Sequence, residues 1–221
     1  MTAILFSSIG TIVDTSELQR KSFNQAFAEH GLDWSWGRNE YTDMLSTSGG
    51  ADRIAAYAES RDHEIDAAAI HASKSTIFQT AMAIADLIAR PGVAETIRRA
   101  RGDGVKVGLV TTTSNDNVNS MIGAVNNLDL GDFDVVLSRS DVDLPKPDAE
   151  AYIVAVRRLE LSPRDCIAIE DNVDGVTSAI DAGLVCIAFP NQNTVDHDFS
   201  NAVLTTDAID FDETMKHLEP T

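Results

Sequence analysis

Nothing in this sequence approaches the roughly twenty consecutive apolar residues that a membrane-spanning helix needs. Met1 to Phe6 runs straight into a strand-like segment, with neither a basic region nor a cleavage site. A cytoplasmic protein that does not enter membranes is expected. Cysteine is scarce: Cys166 and Cys186 stand alone in apolar runs, a spacing that suggests neither a zinc site nor a disulfide framework. Two small buried hydrophobes in a reducing compartment are the simpler reading. Positive charge is also short, with 17 Lys and Arg against 35 Asp and Glu and a net charge of −18. Such a field repels polyanions, which argues against nucleic acid and anionic membrane surfaces as partners. Neither a GxxxxGK loop nor a GxGxxG fingerprint occurs, so nucleotide binding of those kinds has no support. The sequence names no protein partner.

What is present has a consistent texture. Ala3 to Phe6 reads as a buried strand, broken by Gly10-Thr11. The next seventy-odd residues read as helix. Phe23 and Phe27 share a face of a helix closed by Gly31, and Ser46-Thr-Ser-Gly-Gly50 forms a polar loop. Helical patterns cover Arg53 to Ala58 and Ala67 to Ala89, and Pro91-Gly92 then punctuates the chain.

Beyond it, strand-like runs (Val105–Val110, Val135–Ser138, Cys166–Ile169, Val185–Phe189 and an edge run Ala202–Thr205) alternate with helical ones. The helical runs are Asn115–Val125, Asp148–Leu159 and Val173–Ala182. Continuous apolar strands alternating with helices indicate an α/β fold, a doubly wound parallel sheet of Rossmann-like type. The early helices read as an inserted domain. The expected division is a core of residues 1–15 and 90–221 with a helical cap of 16–89.

In such sheets function collects at the carboxyl ends of the strands. Four ends stand out: Phe6-Ser7-Ser8-Ile9-Gly10-Thr11; Val110-Thr111-Thr112-Thr113-Ser114; Pro145-Lys146-Pro147; and Ile169-Glu170-Asp171. Ser114 can serve simply as a helix cap, whereas prolines on both sides of Lys146 restrict where it points. Adjacent carboxylates ending an apolar strand are costly unless a cation meets them. Hydroxyls, a lysine and two acids at one sheet edge suit a phosphate and a divalent metal.

The order of these motifs resembles the haloacid dehalogenase superfamily of phosphotransferases. Gly31-Leu-Asp-Trp-Ser-Trp36, Gly49-Gly50 and Thr111-Thr-Thr-Ser114 look like its CbbY-like sugar-phosphate phosphatases, relatives of β-phosphoglucomutase that act on phosphorylated pentuloses. The resemblance implies that Thr111 binds the phosphoryl group and Lys146 neutralises charge. It further implies that Glu170 and Asp171 hold Mg2+, and that Glu17, Gly49, Gly50, Arg53 and Thr112 face a phosphorylated sugar.

The departures are as informative. The family's first motif reads F-D-x-D-G-T, with a nucleophilic, metal-binding aspartate followed by an acid/base aspartate. Here those positions are Ser7 and Ile9. The usual histidine after Glu17 is Gln19, and the lysine often following the glycine pair is Ala51. The standard aspartyl-phosphate mechanism is not possible with Ser7 and Ile9, and Mg2+ is expected to bind weakly or not at all. Three readings follow: a non-catalytic binder of a phosphorylated sugar, a phosphatase rerouted through Ser7, Asp14 or a metal-bound water, and a structural module with Lys146 paired to Asp171. Ser7, Thr111, Lys146 and Asp171 are expected to lie together at the sheet edge.

Overall fold

The central strands of the sheet are short, largely apolar and buried on both faces, the pattern that parallel pairing under two layers of helix demands, whereas the edge strand Leu204–Thr205 is open to solvent. The computed structural model describes residues 1–46, 49–85 and 87–218. Thr47 and Ser48 of the polar loop, Asp86 at the end of the long helical pattern and residues 219–221 lie outside them.

In chain order the elements are β1 (Ala3–Phe6), α1 (Ser16–Glu29), α2 (Arg38–Asp43), α3 (Gly50–Glu59), α4 (Ala67–Ile84), α5 (Val93–Gly102), β2 (Lys106–Val110) and α6 (Asn115–Ala124). β3 (Val135–Leu137), α7 (Glu150–Arg158), β4 (Cys166–Glu170), α8 (Val173–Asp181), β5 (Val185–Ala188), β6 (Leu204–Thr205) and α9 (Phe211–Lys216) follow. The strands pair in parallel in the order β3-β2-β1-β4-β5-β6.

The period-two rule divides the sheet's side chains between two cores. Ile4, Phe6, Leu109 and Ile169 pack with α5, α6 and α9, whereas Ala3, Leu5, Val110 and Ala168 pack with α7 and α8. A third cluster holds the insertion together: Phe23, Phe27, Trp34, Trp36, Tyr41, Ile54 and Ile70. Helix α4 belongs to both worlds, because Phe78 and Met82 near its end join the first sheet core.

Two elements differ from the sequence reading for tertiary reasons. The helix expected to reach Ala89 ends at Ile84, because Leu87 leaves it to form a bridge with Val125. Helices α2, α5 and α9 carry too short or too polar a pattern to have been singled out, yet α5 buries Val93, Ile97 and Ala100 completely enough to close one core.

Candidate functional site

Strand β1 lies between β2 and β4, so the three carboxyl ends open side by side where the winding of the sheet reverses, the usual place for a ligand crevice. A cleft of about 930 Å³ lies there, between the sheet edge and the helical insertion.

Its floor is the turn after β1. Gly10 adopts φ +93, and a Cβ built on it would lie 2.1 Å from Asp171 Oδ2, so the turn can approach β4 this closely only with glycine. Arg90 staples the turn from below, its guanidinium donating to the carbonyls of Gly10, Phe189 and Pro190 at 2.5–2.7 Å. Above it, Ser8 Oγ donates to Thr111 Oγ1 at 2.8 Å, and Thr111 Oγ1 also accepts from the Thr113 amide at 3.2 Å. Ser7, Ser8, Ile9, Thr111 and Thr112 all line the cleft, as do Lys146 and Asp171.

The charges pair differently from the expectation. Lys146 meets Glu170, not Asp171: Nζ lies 2.5 Å from Glu170 Oε1. It also donates to the Val110 carbonyl at 2.8 Å and, more loosely, toward Tyr152 Oη at 3.4 Å and Ser7 Oγ at 3.5 Å. An ammonium has three protons, so these partners exhaust it. Tyr152 donates a second bond to Glu170 Oε1 at 2.6 Å. Among the described residues Glu170 Oε2 has no hydrogen-bond partner, and it is pressed against Gly175, whose built Cβ would come within 2.1 Å of it. That places Glu170 against the first turn of α8, where a helix favours negative charge, and outside the cleft lining. Asp171 accepts from Thr11 Oγ1 at 2.9 Å through Oδ1 and from Asn191 Nδ2 at 3.0 Å through Oδ2. Burial, reinforced by the Glu170 charge, pushes its carboxyl up to about 7.

This arrangement does not fit the magnesium that the sequence resemblance implies. That ion needs accessible oxygen ligands. Ser7 supplies a neutral hydroxyl, each Asp171 oxygen already accepts one protein hydrogen bond, and Glu170 lies outside the cleft lining. Among the described residues no group of three or more His, Cys, Asp or Glu could hold a metal ion.

The opposite wall comes from the insertion. Arg53 lines the cleft with Nε bonded to the Met44 carbonyl at 2.9 Å and its guanidinium over Tyr41. Gly49 and Gly50 line it too, and a Cβ on Gly50 would strike His71 Nε2 at 2.5 Å. Glu17 does not face the cleft. Two residues from Gln19 on α1, it points to another side of the helix, where Arg20 donates to it at 2.9 Å and holds its carboxyl below the usual range.

Three cleft residues were not foreseen. Lys74 is only 4% exposed, bonds Gln19 Oε1 at 2.8 Å and lies over the rings of Phe23 and Phe78. Burial, with the Arg53 charge adding, pushes it down to about 7. His71, three residues earlier, is also lowered by burial and by Lys74 and Arg53. The sequence did carry a signal, since Lys74 interrupts the buried stripe Ile70, Lys74, Phe78, Met82 at helical spacing. Asn191, whose partners come only from the fold, had none.

The sequence profile described as "Hydrolase: haloacid dehalogenase-like hydrolase" matches residues 1–183. The chain belongs to the haloacid dehalogenase-like hydrolase family. Within it, the chain is 36% identical over 204 residues to protein CbbY of Cereibacter sphaeroides, covering 90% of this chain and 89% of that one. The crystal structure of CbbY from Rhodobacter sphaeroides in complex with phosphate superposes with a TM-score of 0.88 at 35% identity, over 99% of each chain. A mutant of that protein in complex with xylulose-(1,5)bisphosphate gives the same TM-score and identity over the whole of both chains. The haloacid dehalogenase fold thus extends through the helical insertion as well as the sheet.

Proposed function

We propose that this CbbY-type member of the haloacid dehalogenase-like family binds a phosphorylated sugar in the cleft and does not hydrolyse it by the aspartyl-phosphate route. In this reading residues 1–15 and 90–221 form the core and 16–89 the cap that closes over the ligand. The location is cytoplasmic, and magnesium is weakly held or absent.

The observation that carries the reading is the state of Lys146. A serine nucleophile needs a base to take its proton, and Ile9 supplies none. Lys146 reaches Ser7, but its ammonium is paired with Glu170 and donates toward Ser7 Oγ. It is a donor there, not a base. Asp14, the other candidate stand-in, is exposed, caps the Ser16 amide at 3.0 Å and does not line the cleft. Asp171 is held by Thr11 and Asn191, so among the described residues no base is hydrogen-bonded to the Ser7 hydroxyl, and a purely structural role leaves the hydroxyl- and cation-lined cleft without a purpose. The bisphosphate in the CbbY complex supports a phosphorylated pentulose as the ligand class.

The test pairs calorimetric titration with phosphate release on pentulose phosphates. Saturable binding without turnover is expected. Robust turnover by the unmodified protein that vanishes in Ser7→Ala would overturn the reading and establish serine as the nucleophile.

A further inference from the structure

The two ends of the cleft differ in charge. At the core end Lys146 is neutralised by Glu170, Asp171 adds a carboxyl group, and no fitting metal site offsets it. Arg139 and Asp116 also line that end, the Arg139 guanidinium turned back onto the Val142 and Asp143 carbonyls, and the rest of what it presents to a ligand is neutral and hydrogen-bonding: Ser7, Ser8, Thr111, Thr112 and Asn172. Hydroxyl and amide side chains in this density match the donors and acceptors of a polyol. They do not match the charge of a phosphate.

The cap end is the reverse. Lys74 is buried, aimed into the cleft and, among the described residues, has no carboxylate at ion-pair distance, its one hydrogen-bond partner being the neutral amide of Gln19. Arg53 and His71 crowd the same wall. A buried ammonium without a counter-anion is costly, and it stands in a protein of net charge −18. An incoming anion would both pair it and reverse the depression of its pKa.

We infer that the ligand is a sugar carrying a single phosphate, held phosphate-first on the cap by Lys74 with Arg53 and His71, its hydroxyls toward Ser7 and Thr111, and bound without a divalent cation. This rests on the sugar-phosphate reading above and adds polarity, phosphate number and metal independence to it. A second phosphate at the core end would meet Asp171 and a lysine already spent on Glu170.

The experiment compares the affinities of xylulose 5-phosphate, xylulose 1,5-bisphosphate and inorganic phosphate by calorimetry, each with excess magnesium and with EDTA. The expected result is that the bisphosphate binds within threefold of the monophosphate and that EDTA changes neither. Lys74→Met should weaken xylulose 5-phosphate and inorganic phosphate alike by tenfold or more, and Lys74→Arg should recover most of the loss. Thr111→Val should weaken the sugar phosphate selectively. Bisphosphate binding thirtyfold tighter than monophosphate, a tenfold gain with magnesium, or Lys74→Met without effect would overturn this orientation while leaving the sugar-phosphate reading intact. Absence of binding by every phosphorylated probe would overturn both.

Discussion

The floor and the wall of this cleft handle buried charge in opposite ways. On the floor every ion is answered within the protein: Lys146 by Glu170, Glu170 additionally by Tyr152, and Asp171 by Thr11 and Asn191. On the wall Lys74 is answered, among the described residues, by an amide and two ring faces. A closed network stabilises the fold and has little left for a ligand, whereas an open one pays in stability for the capacity to bind. The difference is what the proposed cap-side binding rests on, and it shows that the core residues matching the family are engaged with one another.

The sharpest way to break this comparison is to reopen the floor. Restoring both acids with Ser7→Asp and Ile9→Asp together should produce magnesium-dependent phosphate release from an aryl phosphate, at least about 10³-fold above the unmodified protein. Each single variant should stay within about tenfold of it, because a nucleophile without a proton donor, or the reverse, does not complete the cycle. All four proteins are compared under the same magnesium and substrate conditions.

A second perturbation cuts the closed network. Lys146→Met leaves the Glu170 carboxylate buried beside Tyr152 alone, and should cost about 3–5 kcal/mol in urea unfolding. Replacing Glu170 as well, by Met, should recover most of it. Equal losses in the single and double variants would show that the pair is not the closed unit described here.

The third and smallest effect sharpens the open side, and its sign is opposite. Lys74 has a folded pKa of about 7, well below the roughly 10.4 of an unfolded lysine. Between those values the unfolded chain holds a proton that the native state has shed, so the lysine's contribution to stability rises with pH through that window. Below it the native state bears the full cost of burying the charge. Lys74→Met should therefore stabilise the protein by about 1–2 kcal/mol at pH 6, with the gain shrinking toward pH 9. Denaturant midpoints at the two pH values give the difference directly. A loss of stability at pH 6 would mean that Gln19 and the two rings already compensate the charge.

Much of this was legible in advance because it depends on local pattern. Ala3–Phe6, Cys166–Ile169 and their helices repeat an apolar texture that suits a two-faced parallel sheet, against which the helical stretch after Gly10 reads as an insertion. Ser7 and Ile9 were readable as departures because the surrounding turn kept its glycine and threonine. Lys74 was half legible, as a charge within a buried stripe. Motif position carries no information on which side of α1 meets the cleft, so the pairing of Glu17 with Arg20 came from the structure alone.

The order of apolar and polar residues by itself determined the layers, the strands, the inserted helices and the loss of two acids, since burial periodicity and side-chain chemistry are properties of neighbours along the chain. Only the tertiary structure decided which carboxylate takes Lys146, that Asn191 and Thr11 hold Asp171, and that Lys74 lines the cleft with no carboxylate beside it among the described residues. Those outcomes depend on distances between residues tens to well over a hundred positions apart. At such separations a change of an ångström or two decides whether a charge is paired within the protein or left for something it binds.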